Sequence, residues 1–205
     1  LHRRCGERGT GDRKCSAGAG AHGWESDDIG CLHERLHTRR RFMDIYIVRH
    51  GDAAGFQGYV SDAERPLTDA GVQRMQLAGH GLERLGVKPE FILSSPLVRA
   101  RQTAELIAVA LGMEEEVQTR AELSPGCEII ELERVLETLP DVKSVMLVGH
   151  QPDCGLMIDL LCGLAGTPMK PGTVVLIHLR EGVAPGSGTL VWLKEADDLI
   201  ALTTD

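Results

Sequence analysis

Apolar residues occur along this chain in short runs and periodic stretches that predict alternating strands and helices. Runs of β-branched and other apolar side chains predict strands at residues 44–48, 91–93, 117–119, 144–148, 173–179 and 189–193. Periodic apolar positions predict helices at about 68–85, 95–111, 128–139 and 151–161. Such alternation favours an α/β domain with a mainly parallel sheet covered on both faces. Residues 180–188 would connect the last two strands as a hairpin, and the last dozen residues are not assigned.

Two of the predicted strands end at a histidine beside a glycine. The first strand is followed by Arg49, His50 and Gly51, and the strand at 144–148 is followed by Gly149 and His150. Ligands of open α/β sheets bind at the carboxyl ends of the strands, so both imidazoles are expected at one edge. Gly51 would allow a turn with positive φ and the close approach of a ligand.

A third predicted strand leads into a helix start that suits an anion. Ser95 is expected to be the N-cap and Pro96 the first residue of the helix. Arg99 would then lie near the helix N-terminus, whose free N–H groups and partial positive charge attract anions. We expect Arg99 to face the site and Arg101 to be structural or solvated.

Two arginines and two histidines at one edge form a cluster whose natural partner is a phosphate. The planar fork of arginine matches phosphate oxygens and stays charged at all useful pH values. A neutral histidine can attack phosphorus, and neighbouring cations help to keep its imidazole unprotonated. The sequence has no G-x-x-x-x-G-K-[ST] loop, so a nucleotide-binding P-loop is not indicated.

Composition changes sharply near Met43. Residues 1–42 contain nine Lys/Arg and six Asp/Glu, a net of +3, so the total of -8 leaves -11 for residues 43–205. We expect residues 1–42 to be a disordered or mis-annotated extension, because they have few apolar residues and no sustained period. The chain begins with Leu1, and Met43 is expected to be the true or main start. Residues 43–205 are long enough for one domain.

Charge and apolar content limit which kinds of partner the protein is expected to bind and in which cellular compartment it is expected to act. The acidic balance disfavours nucleic acid, and no apolar run approaches the ~20 residues that span a bilayer. No apolar segment resembles a secretory signal within residues 1–42. The six cysteines lack paired C-x-x-C spacing, which favours reduced thiols in a cytoplasmic protein. The oligomeric state is not indicated.

One motif in the first 42 residues resembles a metal site. His33-Glu34-Arg35-Leu36-His37 matches the H-E-x-x-H pattern of zinc proteases, and Cys31 could be imagined as a ligand. We interpret the match as chance, because a zinc protease needs a folded scaffold and a third ligand at a suitable spacing. Elsewhere no Asp/His set has metal-ligand spacing, so we predict no metal and no cofactor.

Four segments taken together resemble the histidine phosphatase superfamily, and within it the SixA-type phosphohistidine phosphatase branch. The resemblance covers about residues 43–205 and depends on the compact size and on these motifs in this order: Val48-Arg49-His50-Gly51-Asp52-Ala53, Arg65-Pro66-Leu67-Thr68, Ser94-Ser95-Pro96-Leu97-Val98-Arg99-Ala100-Arg101-Gln102-Thr103-Ala104 and Val148-Gly149-His150. It implies a three-layer α/β/α fold.

The resemblance also implies a role for each site residue. His50 would be the transiently phosphorylated nucleophile. Arg49, Arg99 and His150 would bind and neutralise the phosphoryl oxygens, and Arg65 would reach the same phosphate from its loop. The implied substrate is phosphohistidine on a protein, such as a signalling phosphotransfer domain.

Other substrates and a non-catalytic role are kept as alternatives. Glu122 lies in roughly the region where larger members carry a general acid, or it is a solvated loop carboxylate. With such an acid, the same fold could be a small-molecule phosphomonoesterase. A non-catalytic phosphate-binding module is the third alternative.

Overall fold

The computed structural model describes residues 42–180 and 182–204. Among these residues there are six strands, Met43–Arg49 (β1), Phe91–Ser94 (β2), Val117–Thr119 (β3), Ser144–Gly149 (β4), Val174–Leu179 (β5) and Gly188–Lys194 (β6). Five α-helices accompany them, Asp69–Arg84 (α1), Val98–Leu111 (α2), Ile129–Glu137 (α3), Asp153–Cys162 (α4) and Ala196–Ala201 (α5). The extension, apart from Phe42, lies outside the described residues.

The strands form one mixed sheet in the order β3-β2-β4-β1-β5-β6. The first four of these are mutually parallel, whereas β5 pairs antiparallel with β1 and β6 pairs antiparallel with β5. The predicted mainly parallel sheet is therefore confirmed, and the last two strands form the predicted hairpin at one edge.

Helices cover both faces of this sheet because its central strands are apolar on both sides. Along β1, Ile45 and Ile47 are fully buried in one core, which α3 and α4 complete. Tyr46 and Val48 point into the second core, which α1, α2 and α5 complete. Successive side chains of a strand point to opposite faces, so one strand serves both cores. The predicted three-layer α/β/α architecture is confirmed.

Close packing between α1 and α5 depends on a glycine inside α1. Gly81 is buried, and a Cβ atom on it would lie 2.1 Å from the main-chain oxygen of Leu199 in α5. Glycine lowers helix stability by about 1 kcal/mol relative to alanine. At this position the absence of a side chain lets the backbones of α1 and α5 approach each other, in spite of that cost. At its start, α1 has the predicted cap, because the Gly71 N–H donates to Thr68 Oγ1 at 2.9 Å.

The register of β1 and β4 brings their carboxyl ends to the same edge. Arg49 is paired with Gly149, and the His50 N–H donates to the Gly149 carbonyl at 3.1 Å. The two histidines therefore leave adjacent parallel strands side by side. Strand β2 pairs with β4 on its other side and leads into α2 at this edge. None of the helices within 42–180 and 182–204 has the length and apolarity needed to cross a membrane.

Candidate active site

His50 and His150 lie together at the carboxyl edge of the sheet. Their ring centroids are 5.2 Å apart, with the ring planes inclined at 59°. His150 is 3% exposed, whereas His50 is partly open to solvent. One imidazole is therefore accessible to a ligand while the other lines the site from behind.

The hydrogen bonds of His50 define which ring nitrogen carries the proton. Nδ1 lies 2.7 Å from the Gly51 carbonyl oxygen, so it must be the N–H that donates. Nε2 accepts from the Nε–H of Arg99 at 3.1 Å. A neutral imidazole has one donor and one acceptor nitrogen, and this arrangement leaves the lone pair on Nε2.

The electrostatic surroundings of His50 keep its ring neutral. Its pKa falls from 6.5 to about 4, chiefly because burial disfavours the charged form. The positive charges of Arg99, Arg49 and Arg65 lower the pKa further, and only the hydrogen bond to Gly51 acts in the opposite direction. At neutral pH the site therefore holds an unprotonated imidazole beside three guanidinium groups.

Gly51 is needed for packing, and its φ is not positive. The expectation of a left-handed turn was wrong, because the positive-φ glycines among the described residues do not include this one. A Cβ atom here would lie 2.6 Å from Cγ of Met75. The Gly51 N–H donates to Thr103 Oγ1 at 3.0 Å, and Thr103 donates to the Arg99 carbonyl at 2.7 Å. These bonds tie the turn to α2.

Arg99 is the second residue of α2 and is 4% exposed. Besides donating to His50, it donates from Nη1 to the Asp62 carbonyl at 2.7 Å and from Nη2 to Asp62 Oδ2 at 2.8 Å. Arg101 is exposed and pairs with Glu105 at 3.3 Å. The structure thus brings Arg99 to the site and leaves Arg101 at the surface.

Arg49 and Arg65 also lie near His50. Nη1 of Arg49 donates to the Met169 carbonyl. Nε of Arg65 lies 2.9 Å from Asp62 Oδ1, and its Nη1 donates to the Ala54 carbonyl at 3.1 Å. Both guanidinium groups are close enough to lower the pKa of His50. The five predicted site residues therefore lie close together: Arg49, His50, Arg65, Arg99 and His150.

His150 is held by a serine that the sequence pattern predicts to be a helix cap. Its Nε2 lies 2.8 Å from Ser95 Oγ, while its buried Nδ1 has no hydrogen-bond partner among the described residues. Burial, followed by the charges of His50 and Arg99, lowers the pKa of His150 to about 3. Ser95 is not the N-cap of α2, because the helix begins at Val98 after Leu97.

The sequence did not predict two hydrogen-bond partners of the site residues. These are Asp62, which accepts from Arg99, and the hydroxyl of Ser95, which contacts His150. Asp62 precedes Arg65 by three residues, a spacing that could have indicated an ion pair within the loop. Its contact with Arg99, 37 residues away, has no such local signal.

Glu122 is not among the described residues that hydrogen-bond to this cluster, whereas Cys154 lies directly behind it, with its main-chain N–H donating to the His150 carbonyl at 2.8 Å. Glu122 is exposed in a one-turn 3₁₀ helix, Ala121–Leu123, and its charge is one of three that raise the pKa of Cys127, after burial. Burial raises the pKa of Cys154 to about 12, so this thiol is unreactive.

Metal-ligand geometry is not found at the site. Across residues 42–180 and 182–204, no group of three or more His, Cys, Asp or Glu side chains could hold a metal ion. The H-E-x-x-H motif at 33–37, with Cys31, lies outside the described residues.

The arrangement suits a phosphoryl group. An unprotonated Nε2 faces a buried arginine, with two further guanidinium groups nearby. Such preorganised cations stabilise the negative charge of a transferring phosphoryl group, because they need not reorganise during the reaction. The buried Nδ1 of His150, which has no hydrogen-bond partner among the described residues, is a further polar atom on the ring beside His50.

Comparison with known proteins agrees with this geometry. The family model described as histidine phosphatase superfamily (branch 1) matches residues 45–125. An uncharacterised protein of Picosynechococcus sp. is 43% identical over 148 residues, which are 69% of this chain and 87% of that protein. Phosphohistidine phosphatase SixA of Escherichia coli is 32% identical over 153 residues, 73% of this chain and 92% of the relative.

A solved structure extends the likeness to three dimensions. The protein histidine phosphatase SixA, complexed with tungstate, superposes with a TM-score of 0.69 at 31% identity. The match covers 77% of this chain and 99% of the other.

Proposed function

Because this chain belongs to the histidine phosphatase superfamily and to its SixA type, we propose that it removes phosphoryl groups from phosphohistidine on a protein. The observation that carries the proposal is the lone pair of His50 Nε2, held beside Arg99 on a ring whose pKa is about 4. The broader activity, that of a phosphatase, follows from the family.

The proposed reaction has two steps. In the first, His50 Nε2 attacks phosphorus, the P–N bond of the substrate breaks, and the leaving imidazole takes up a proton. In the second, water attacks the phosphorylated His50, which releases orthophosphate and restores the neutral ring. The incoming phosphoryl group displaces the His50 lone pair from the Arg99 Nε–H and accepts that N–H in its place, while the Arg99 guanidinium stays on Asp62.

The remaining site residues bind the phosphoryl oxygens in this proposal. Arg49 and Arg65 supply charge and N–H donors from two sides, and His150 donates from Nδ1 when Nε2 accepts from the Ser95 hydroxyl. Three guanidinium groups supply the positive charge that a metal would otherwise bring, so we propose that no metal is needed.

The surface beside the site supports a protein substrate. Phe56 is 57% exposed and Val60 is 92% exposed, and they lie in the loop that carries Asp62 to Arg99. A protein can cover such apolar side chains, whereas a small phosphoester leaves them in water. The Escherichia coli relative is named a phosphohistidine phosphatase, which favours the same substrate class.

The leaving group explains why an acid such as Glu122 is not required. An imidazole leaves phosphorus more easily than an alkoxide does, so acid assistance matters less. A phosphomonoester would need a proton donor, and the exposed Glu122 is the residue to test in that case.

The test compares phosphate release from a phosphohistidine protein and from a simple phosphomonoester, with a chelator present. We expect release from the first only, and a labelled, acid-labile phosphoenzyme that the His50→Ala variant does not form. Preference for the ester would indicate a small-molecule phosphatase. Binding of phosphate without turnover of either substrate would indicate a phosphate-binding module. Activity lost with the chelator and restored by a metal would overturn metal independence.

A further inference from the structure

We infer that Asp62 is a positioning residue, whose carboxylate holds Arg99 and Arg65 in one fixed arrangement for the phosphoryl group. The inference rests on the proposed function, because it names what orients two of the proposed phosphate ligands. Asp62 lies outside the four motifs that carry the family resemblance.

Asp62 contacts both arginines at once. Its main-chain oxygen and its Oδ2 accept from Nη1 and Nη2 of Arg99, at 2.7 and 2.8 Å. Its other carboxylate oxygen, Oδ1, lies 2.9 Å from Nε of Arg65. One residue therefore fixes the plane of the Arg99 guanidinium and also forms an ion pair with Arg65.

The donor count of Arg99 shows what this arrangement leaves for a ligand. A guanidinium has five N–H groups in a rigid fork. Arg99 uses Nε–H on His50 and one N–H of each terminal nitrogen on Asp62. Each terminal nitrogen keeps one further N–H, and its direction is set because the plane is set. The remaining N–H of Nη2 lies on the same edge of the guanidinium as the Nε–H that contacts His50, so turning the plane would change the direction of this donor relative to His50.

Charge gives the second reason for a carboxylate at this position. Arg99 and Arg65 would repel each other beside His50 without an anion between them. Burial acts to raise the pKa of Asp62, but the hydrogen bonds and charges of Arg99 and Arg65 outweigh it and lower that pKa. Asp62 is therefore ionised at neutral pH and can separate the two cations.

The loop that carries Asp62 is closed at its base. The Ala54 N–H donates to the Pro66 carbonyl at 2.9 Å, and Arg65 donates to the Ala54 carbonyl at 3.1 Å. Asp62 begins a one-turn 3₁₀ helix, Asp62–Glu64, near the end of this loop. These contacts hold Asp62 over Arg99.

Asp62 and Arg99 form a half-buried ion pair, because the side chain of Asp62 is 53% exposed and that of Arg99 is 5% exposed. Removing the carboxylate leaves a nearly buried cation without its anion, which lowers the free energy of unfolding more than the loss of a surface ion pair does. Thermal unfolding is therefore measured for each variant, and ligand binding is compared at a temperature at which every variant is folded, so that a loss of binding is a local effect.

The experiment measures the Kd of inorganic orthophosphate by calorimetry for wild type, Asp62→Asn, Asp62→Ala and Glu64→Gln. Glu64→Gln is the matched control, because Glu64 is exposed in the same 3₁₀ helix and loses the same charge. We expect the Kd to rise about tenfold in Asp62→Asn and further in Asp62→Ala, and kcat/KM to fall in parallel. The amide keeps one acceptor oxygen, so it should rescue part of the loss.

The direction of the change decides between positioning and simple charge. Removing a negative charge beside a phosphate site strengthens anion binding if the charge alone matters, as we expect for Glu64→Gln. Unchanged or tighter orthophosphate binding in Asp62→Asn would therefore overturn the inference. If wild type binds orthophosphate and Asp62→Asn weakens it, but phosphohistidine is not hydrolysed, the proposed function fails while the inference stands. Normal hydrolysis of phosphohistidine by Asp62→Asn would support the proposed function and overturn the inference.

Discussion

Replacing Ser95 with alanine removes the side-chain partner of His150 Nε2. Both residues are almost completely buried, at 0% and 3% exposure, and their polar atoms are 2.8 Å apart. Leaving a buried polar atom unsatisfied costs about 1–3 kcal/mol. If that cost falls wholly on the transition state, kcat/KM decreases by about 5- to 150-fold, because about 1.4 kcal/mol corresponds to tenfold. We expect a loss within this range, because the unpaired ring can turn away from the phosphoryl group.

Ser94→Ala is the matched control for this measurement. Ser94 is the preceding residue, is equally buried, and donates its hydroxyl to the Ser95 main-chain carbonyl at 2.9 Å. Both variants lose one buried hydroxyl, but Ser95 Oγ also accepts from the Leu97 N–H at 3.3 Å, so we expect the larger decrease in the free energy of unfolding for Ser95→Ala, measured by chemical denaturation. Only Ser95→Ala should reduce kcat/KM for a phosphohistidine protein. Equal kcat/KM values for the two variants would refute the idea that Ser95 orients His150.

Three further predictions test acid stability, helix packing and substrate class. Both site histidines have pKa values far below 6.5 in the folded protein, so the unfolded chain takes up protons first and the free energy of unfolding should fall as pH is lowered from 6.5 towards 4. A flat denaturation profile over this window would contradict the lowered pKa values. Gly81→Ala should lower the Tm in spite of the higher helix propensity of alanine, because the new Cβ would lie 2.1 Å from the Leu199 backbone. Gly55→Ala is the control and should leave the Tm unchanged, because nothing lies within 4 Å of its Cβ; both are measured by calorimetry. Replacing Phe56 and Val60 with alanine should raise KM several-fold for a phosphohistidine protein in steady-state assays, while hydrolysis of phosphoramidate stays unchanged; equal effects on both substrates would count against a protein-docking rim.

The C-terminal helix shows where sequence patterns have little predictive power. Helix α5 has six residues, too few for a clear helical period, and its sequence alone left it unassigned. It is stabilised by tertiary packing, since Ala196 and Leu199 are fully buried in the same core as α1. The glycine that admits it, Gly81, lies more than a hundred residues earlier in the chain.

The sequence by itself determined the layers and the edge at which the chemistry lies. Buried β-branched runs that stop at Arg49-His50 and Gly149-His150 favour parallel strands, because each run is apolar on both faces and helices intervene. Parallel strands end at a common edge, so the two histidines and Arg99 could be brought together from the order of the residues alone. The family follows from the same motifs, and the comparisons confirm it.

Only the tertiary structure decided which atoms of these residues are already hydrogen-bonded within the protein and which are available to a ligand. The proton on His50 Nδ1 is fixed by Gly51, the orientation of Arg99 by Asp62, 37 residues away, and that of His150 by Ser95, 55 residues away. These contacts depend on side-chain positions that packing across the fold fixes. Local patterns reveal periodicity and turns, and they contain no information about hydrogen bonds between residues 37 or 55 positions apart.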